Sequence, residues 1–142
     1  MTRKEQVQLA VYTDGAARKN PGPSALGFVV YQIPEQKLLA KKSKYLGRKT
    51  NNQAEYLAVI AALNYCKRYP DASINIYSDS QLVVNQLNKA WKIRNQQLGE
   101  YARVIENLNA NFAHVGFNYV PRTTKQIQIA DALCNAEMDK HA

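Results

Sequence analysis

The stretch from Val7 to Leu46, VQLAVYTDGAARKNPGPSALGFVVYQIPEQKLLAKKSKYL, decides the fold class. Val7 to Thr13 and Leu26 to Ile33 are short runs rich in β-branched and aromatic residues, and both read as strands. Asp14 to Pro23 between them holds two glycines and two prolines and reads as a turn. Leu38 to Leu46 alternates enough for a third strand, with Pro34-Glu35 marking the hairpin before it. Three strands with short connections predict an antiparallel meander.

The pattern then changes period. Thr50-Asn51-Asn52-Gln53 fits a capping box, and Ala54, Leu57, Ala58, Ala61 and Tyr65 follow at helical spacing until Tyr69-Pro70-Asp71. Ser73 to Ser78 reads as a fourth strand and Gln81 to Lys89 as a short helix. Leu98, Tyr101, Ala102, Ile105, Leu108 and Phe112 form the stripe of a third helix. Val115 to Val120 is the last strand and Ile127 to Lys140 the last helix. The order β-β-β-α-β-α-α-β-α, without linker or repeat, predicts one α/β domain over residues 1–142 with a mixed sheet.

Composition narrows the class. A chain of 142 residues, 46% hydrophobic and 21% charged, can bury a core and is not a disordered chain. No apolar run approaches the ~20 residues that span a bilayer. Arg3 and Lys4 are followed by Glu5, Gln6 and Gln8, which interrupt any leader core. The expectation is a soluble, cytoplasmic protein with no membrane partner. Cys66 and Cys134 lack the spacing of a metal site, so two free thiols on helices are expected, with a disulfide left open. Nineteen basic residues against eleven acidic ones leave a net charge of +8, which suits either a polyanion partner or a merely solvated basic surface.

The acids are arranged, not scattered. Val11-Tyr-Thr-Asp-Gly15 and Ile76-Tyr-Ser-Asp-Ser80 each deliver an aspartate at the end of an apolar strand, on the face of the tyrosine two positions back. On neighbouring strands, about 4.8 Å apart, Asp14 and Asp79 would repel by roughly 4 kcal/mol at an effective dielectric of 20. A shared proton or a cation must offset that. Glu55 lies early in the capped helix on the face of Asn51 and Asn52, and Asp131 lies near the start of the last helix. Taken singly, each acid has an ordinary explanation as a turn residue, a cap or a solvated helix position. Four together favour cations over a shared proton, because two divalent ions would neutralise them. All-oxygen ligation selects Mg²⁺ or Mn²⁺ over zinc. With these four set aside, nineteen bases face seven acids, a basic surround of twelve excess charges.

Tyr12-Thr-Asp-Gly-Ala16 with Asn20-Pro-Gly-Pro23, then Thr50-Asn-Asn-Gln-Ala-Glu55, Ser78-Asp-Ser-Gln81 and Ala130-Asp-Ala-Leu133 resemble ribonuclease H type 1, in order and over nearly the whole chain. The resemblance implies an RNase H-like five-stranded mixed sheet, antiparallel in its first three strands and parallel in the remainder, flanked by helices. It implies a monomeric endoribonuclease in which Asp14, Glu55, Asp79 and Asp131 hold two Mg²⁺, or Mn²⁺, and cut the RNA strand of an RNA–DNA hybrid. Products would carry 5′-phosphate and 3′-hydroxyl ends. By the same resemblance Asn20, Asn51, Asn52 and Gln81 feel RNA 2′-hydroxyls, the group that tells RNA from DNA. Arg48, Thr50 and Asn95 resemble a pocket for a DNA phosphate, and Trp91 the aromatic that packs along a DNA sugar; a helix-terminal core tryptophan is the competing reading.

Three departures matter. The segment from Val120 to Asp131 has no histidine where many members place one, and Arg122 stands nearest, as in the archaeal-like branch. An arginine cannot shuttle protons at neutral pH, so its role would be electrostatic and directed at the scissile phosphate. Ile127 also stands where asparagine is usual, while His114 and His141 read as structural or solvated. Only about ten residues separate Leu87 from Leu98, too few for the basic helical protrusion of many bacterial members. Three rivals stand beside this reading: a non-cutting hybrid-binding module of the same fold, an aspartic protease, and a related nuclease that also cuts double-stranded RNA. The first should lose one of the four acids, and the second presents Asp-Thr-Gly and needs only a dyad.

Without the protrusion, binding leans on Lys41, Lys42, Lys44, Arg48, Lys49, Arg18, Lys19, Lys89, Lys92 and Arg94. Phosphate contacts release counterions, so affinity for hybrid should fall steeply between low and high salt. A cleavage rate flat across that range, at sub-saturating hybrid, would count against a phosphate-led interface.

Overall fold

The expected meander is present, and its first strand runs further than the local pattern suggests. The computed structural model describes residues 6–142; Arg3, Lys4 and Glu5, on which the leader reading rests, lie outside the described residues. Strands β1 (Gln8–Ala17), β2 (Gly22–Gln32) and β3 (Lys37–Lys49) pair antiparallel. The stretch from Asp14 to Pro23 is therefore not one long turn. Asp14 pairs with Gly27 and the ladder continues to Ala17 opposite Ser24, leaving only residues 18–21 as the turn. Small residues at 15–17 let this part of β1 lie beneath packed helices, and that context overrides the local glycine and proline signal.

Helix α1 (Asn51–Cys66) leads to β4 (Ser73–Ser78), then α2 (Gln81–Leu87), α3 (Gln96–Asn109), β5 (His114–Tyr119) and α4 (Lys125–Lys140). The order β-β-β-α-β-α-α-β-α is the one expected. The sheet order is β3-β2-β1-β4-β5, with β4 and β5 parallel to β1. Thr50 and Gln53 make the reciprocal capping box at the start of α1. Phe112 of the third helical stripe falls beyond α3 but is still buried. No helix among the described residues is long and apolar enough to cross a membrane.

Alternation along the strands separates two cores. Leu9, Val11, Leu26, Ile74 and Ile76 meet Tyr56, Val59 and Leu63 of α1 and Ile105 and Leu108 of α3. On the other face Ala25 meets Cys134 and Met138 of α4, with Ala16 beside them. Cys66 belongs to the first core and Cys134 to the second, and both are free, buried thiols.

Two glycines set how closely the helices approach. A Cβ on Gly15 would lie 2.2 Å from the Ala54 carbonyl carbon and 2.5 Å from the Glu55 nitrogen. A Cβ on Gly27 would lie 2.6 Å from the Ala130 carbonyl oxygen. Gly27 pairs with Asp14, the neighbour of Gly15, so the two contacts are on opposite faces of the sheet. Each glycine thus seats a helix one residue away from an acid, Glu55 in α1 and Asp131 in α4.

The β1–β4 ladder ends at Tyr12 opposite Tyr77, whose rings stack at 4.8 Å, although β1 stays paired with β2 to Ala17. Asp14 and Asp79 lie just past the point where these two strands part.

Gly15→Ala and Gly27→Ala should each cost about 1–3 kcal/mol in urea denaturation, because a packed helix must move. Gly99→Ala, in α3 with its nearest neighbour at 3.9 Å, should be neutral or slightly stabilising. Equal effects at all three positions would remove the close-approach argument.

Candidate active site

The site forms where strand ends and helix starts converge. Asp14 is carried by β1 and is 7% exposed. Asp79 follows β4 directly, and the serines on either side hold its backbone: Ser78 Oγ accepts from the Ser80 amide, and Ser80 Oγ caps α2 by accepting from the Val83 amide. Glu55 sits in the second turn of α1; the residue is half-buried, its carboxylate enclosed, and it accepts a short hydrogen bond from the Gly15 amide. One carboxylate oxygen from each of Asp14, Glu55 and Asp79 lies within 4.8 Å of the other two. These three, with Asp131, Arg122, Asn51, Asn52 and Ser80, line an open pocket of about 270 Å³.

The expected quartet is therefore a tight trio with a fourth acid at its rim. Asp131 is exposed and outside the trio, yet close enough to Asp14 to act on it by charge and hydrogen bond. Asn135, one turn on in α4, donates to the Asp131 carbonyl at 3.1 Å and to its carboxylate at 3.4 Å. Arg122 Nε lies 3.5 Å from Asp79 Oδ2 with a side chain 90% exposed. Solvent screens such a pair, so it holds Arg122 only weakly.

Burial, followed by the charges of Asp79 and Asp131, pushes the Asp14 carboxyl up to about 8. Burial and the charges of Asp14 and Asp79 also raise Glu55, against the pull of the Gly15 amide. The trio carries more negative charge than its enclosure tolerates, and its ligand atoms are all hard oxygens. Those two facts fit a divalent cation of the Mg²⁺ or Mn²⁺ kind held by Asp14, Glu55, Asp79 and, from the rim, Asp131.

The other residues singled out in the sequence divide into groups. Asn51 and Asn52 line the pocket. Asn20 does not, but its Oδ1 accepts from the Asn51 amide, while Asn51 Oδ1 accepts from the Ala17 amide. Arg48 is exposed near the end of β3, and Thr50 caps α1. Gln81 is exposed at the start of α2, and Asn95 caps α3 through the Leu98 amide. Trp91 is 48% exposed, which excludes the core reading. His114 and His141 are exposed, the latter stacked on Tyr45 at 3.9 Å, and Ile127 is fully buried.

Sequence reasoning passed over four contributors: the Gly15 amide, Gly27, Asn135, and Cys134, whose thiol donates to the Asp14 carbonyl at 3.4 Å. Only Gly27 left a signal, as a glycine inside an apolar strand, which marks close approach of another backbone.

A carboxyl raised on folding stabilises the fold below its unfolded pKa, and that stability is lost as pH rises through its folded value. For the cation-free protein this window runs from about 4 to about 8. Asp14→Asn should then be more stable than the parent at pH 8 by on the order of 2 kcal/mol, the gap closing toward pH 4. Melting curves in chelator at both pH values test this; matching Tm values at pH 8 would refute it.

The RNase H family model matches residues 6–136. Ribonuclease HI of Halobacterium salinarum is 39% identical over 128 residues, 90% of this chain and 63% of that protein. The crystal structure of RNase H1 from that archaeon superposes with a TM-score of 0.88 at 38% identity, covering 94% of this chain and 98% of the other. LC11-RNase H1, isolated from compost by a metagenomic approach and solved in complex with RNA/DNA hybrid, superposes with a TM-score of 0.85 at 33% identity, covering 94% and 98%. A bifunctional protein of Mycobacterium tuberculosis is 32% identical over 136 residues, 96% of this chain but 37% of its own length. This chain thus spans between 37% and 63% of the length of these two curated relatives.

Proposed function

This chain belongs to the RNase H family, and on that premise we propose that it hydrolyses the RNA strand of RNA–DNA hybrids with divalent cations held by Asp14, Glu55, Asp79 and Asp131. The observation that carries the reading is the trio of carboxylates within 4.8 Å of one another in a chain of net charge +8. Such a trio is unfavourable in its ionised form unless cations enter it, and the basic surround suits a polyanionic substrate.

Two such ions would supply charge stabilisation to the displacement at phosphorus, which would leave 5′-phosphate and 3′-hydroxyl ends. The protein's part is to hold the acids in place. The Gly15 amide fixes one oxygen of Glu55, and Asn135 restrains Asp131 at the rim. Arg122, weakly held by Asp79, is free to turn to the scissile phosphate, where it stabilises charge and moves no proton.

Substrate choice follows from which polar atoms remain. The side-chain oxygens of Asn20 and Asn51 are taken by backbone amides, so each presents its amide N–H groups, donors suited to a 2′-hydroxyl oxygen. Asn52 and Gln81 extend that row on α1 and α2. Arg48, with Thr50 and Asn95 at their helix caps, contributes to gripping a phosphate of the DNA strand, and exposed Trp91 packs along a DNA sugar.

Labelled RNA–DNA hybrid, double-stranded RNA and double-stranded DNA, each with Mg²⁺, Mn²⁺ or chelator, test the assignment. Hybrid alone should be cut, and only with a cation. Asp14→Asn and Asp79→Asn should lose at least about 10³-fold in rate. Arg122→Ala should lose about 10- to 100-fold with cation binding by calorimetry unchanged. Retained cleavage in either aspartate variant would falsify the metal assignment, and an unaffected rate in Arg122→Ala would remove that residue from the mechanism.

A further inference from the structure

Gln86 is an amide where α2 would be expected to bury an apolar side chain. It lies on the inward side with Val83 and Val84 and is 7% exposed. A buried amide is tolerated only when its polar atoms are paired. Here both ends are. Gln86 Oε1 accepts from the Tyr56 hydroxyl at 2.7 Å, and Gln86 Nε2 donates to the Lys92 carbonyl at 3.3 Å. Tyr56 is fully buried in α1 and is the residue after Glu55.

The far end of this relay is the segment 88–95, which joins α2 to α3 and carries Lys89, Trp91, Lys92 and Arg94, all exposed. Its first half is tied down by the backbone. The Asn85 carbonyl accepts from the Ala90 and Trp91 amides, and the Asn88 side chain donates to the Phe117 carbonyl. Among the described residues, the Gln86 bond is the only side-chain hydrogen bond to the backbone of residues 91–94. Beyond Trp91 the loop is held by Ile93, packed against the main core, and by this one buried amide, which alone ties its backbone through a side-chain relay to the helix that bears Glu55.

We propose that Gln86 is a positioning residue that locks the 88–95 loop onto α1, so that Trp91 and its cationic neighbours meet the hybrid in fixed register with the carboxylate pocket. The inference rests on the reading above that this loop grips the DNA strand. Its energetic content is modest. Two hydrogen bonds are lost with the amide, and the consequence falls on binding rather than on the chemical step.

Trp91 is the only tryptophan in the chain, so its emission reports on this loop alone. Fluorescence anisotropy of the free protein should be measured for the parent, Gln86→Met and Tyr56→Phe, and KM and kcat on hybrid with Mg²⁺ for these and for Trp91→Ala. Gln86→Met keeps the bulk and loses both bonds. It should lower the anisotropy and raise KM about three- to tenfold with kcat little changed, and Tyr56→Phe should show the same shift more weakly. Unchanged anisotropy and KM in Gln86→Met would overturn the mooring. If Trp91→Ala raises KM and Gln86→Met does not, the mooring alone is overturned and the grip stands. If Gln86→Met loosens the loop but neither variant raises KM, the loop does not hold hybrid, and the grip and the proposal are both overturned. Should Gln86→Met fail to fold, Tyr56→Phe decides, since it removes one hydroxyl and leaves the ring's packing.

Discussion

Mutual repulsion among Asp14, Glu55 and Asp79 is the constraint to which the rest of the molecule answers. Three carboxylates within 4.8 Å of one another, one of them 7% exposed, cannot all ionise without compensation. The architecture supplies the means of gathering them. Strands β1 and β4 part after Tyr12 and Tyr77, Gly15 lets α1 come down on one face, and Gly27 lets α4 come down on the other. No acid is held by a salt bridge strong enough to satisfy it, since the partner of Asp79 is a side chain almost wholly in solvent. Left to itself the trio must take up protons or cations, and the carboxyls of Asp14 and Glu55 are raised accordingly.

The small polar residues around it are economical. Asn20, Asn51, Thr50 and Asn95 each commit an oxygen to a backbone amide, fastening the β1–β2 turn to α1 or capping a helix. Their remaining hydrogens stay available. One side chain can therefore hold the local backbone and still face a ligand, which is why a structural role for these residues does not argue against a recognition role.

Much of this was legible in the sequence, and the exceptions have physical causes. Element order could be read because periodicity switches cleanly between two and 3.6, and the Thr50–Gln53 box marked the helix that brings Glu55. The continuation of β1 through Ala17 could not, because glycine and proline report local preference while the ladder to β2 and the helices on both faces are tertiary. Asp131 read as the equal of the other three acids, since nothing local shows that the second turn of α4 leaves it exposed. Trp91 was undecidable between core and surface for the same reason. The buried amide of Gln86 sat unremarked in the short helix, because burial of a polar residue shows only when its partners, thirty positions back and six ahead, are seen beside it.

The order in which the acids occur along the chain has a kinetic side. Asp14 lies in the hairpin-connected strands, whose contacts are short in sequence, whereas Glu55, Asp79 and Asp131 reach it across 40 positions or more, through the first helix, a parallel crossover and the final helix. Parallel pairing carries the larger loop-closure cost and forms slowly. The charges therefore come together late, after most of the chain has committed to its topology. Strain confined to the finished state hastens escape from it rather than hindering the approach. A nascent chain can in this way fold at the pace its parallel crossover sets, and it is the lifetime of the folded state, not the speed of reaching it, that repulsion among the acids shortens.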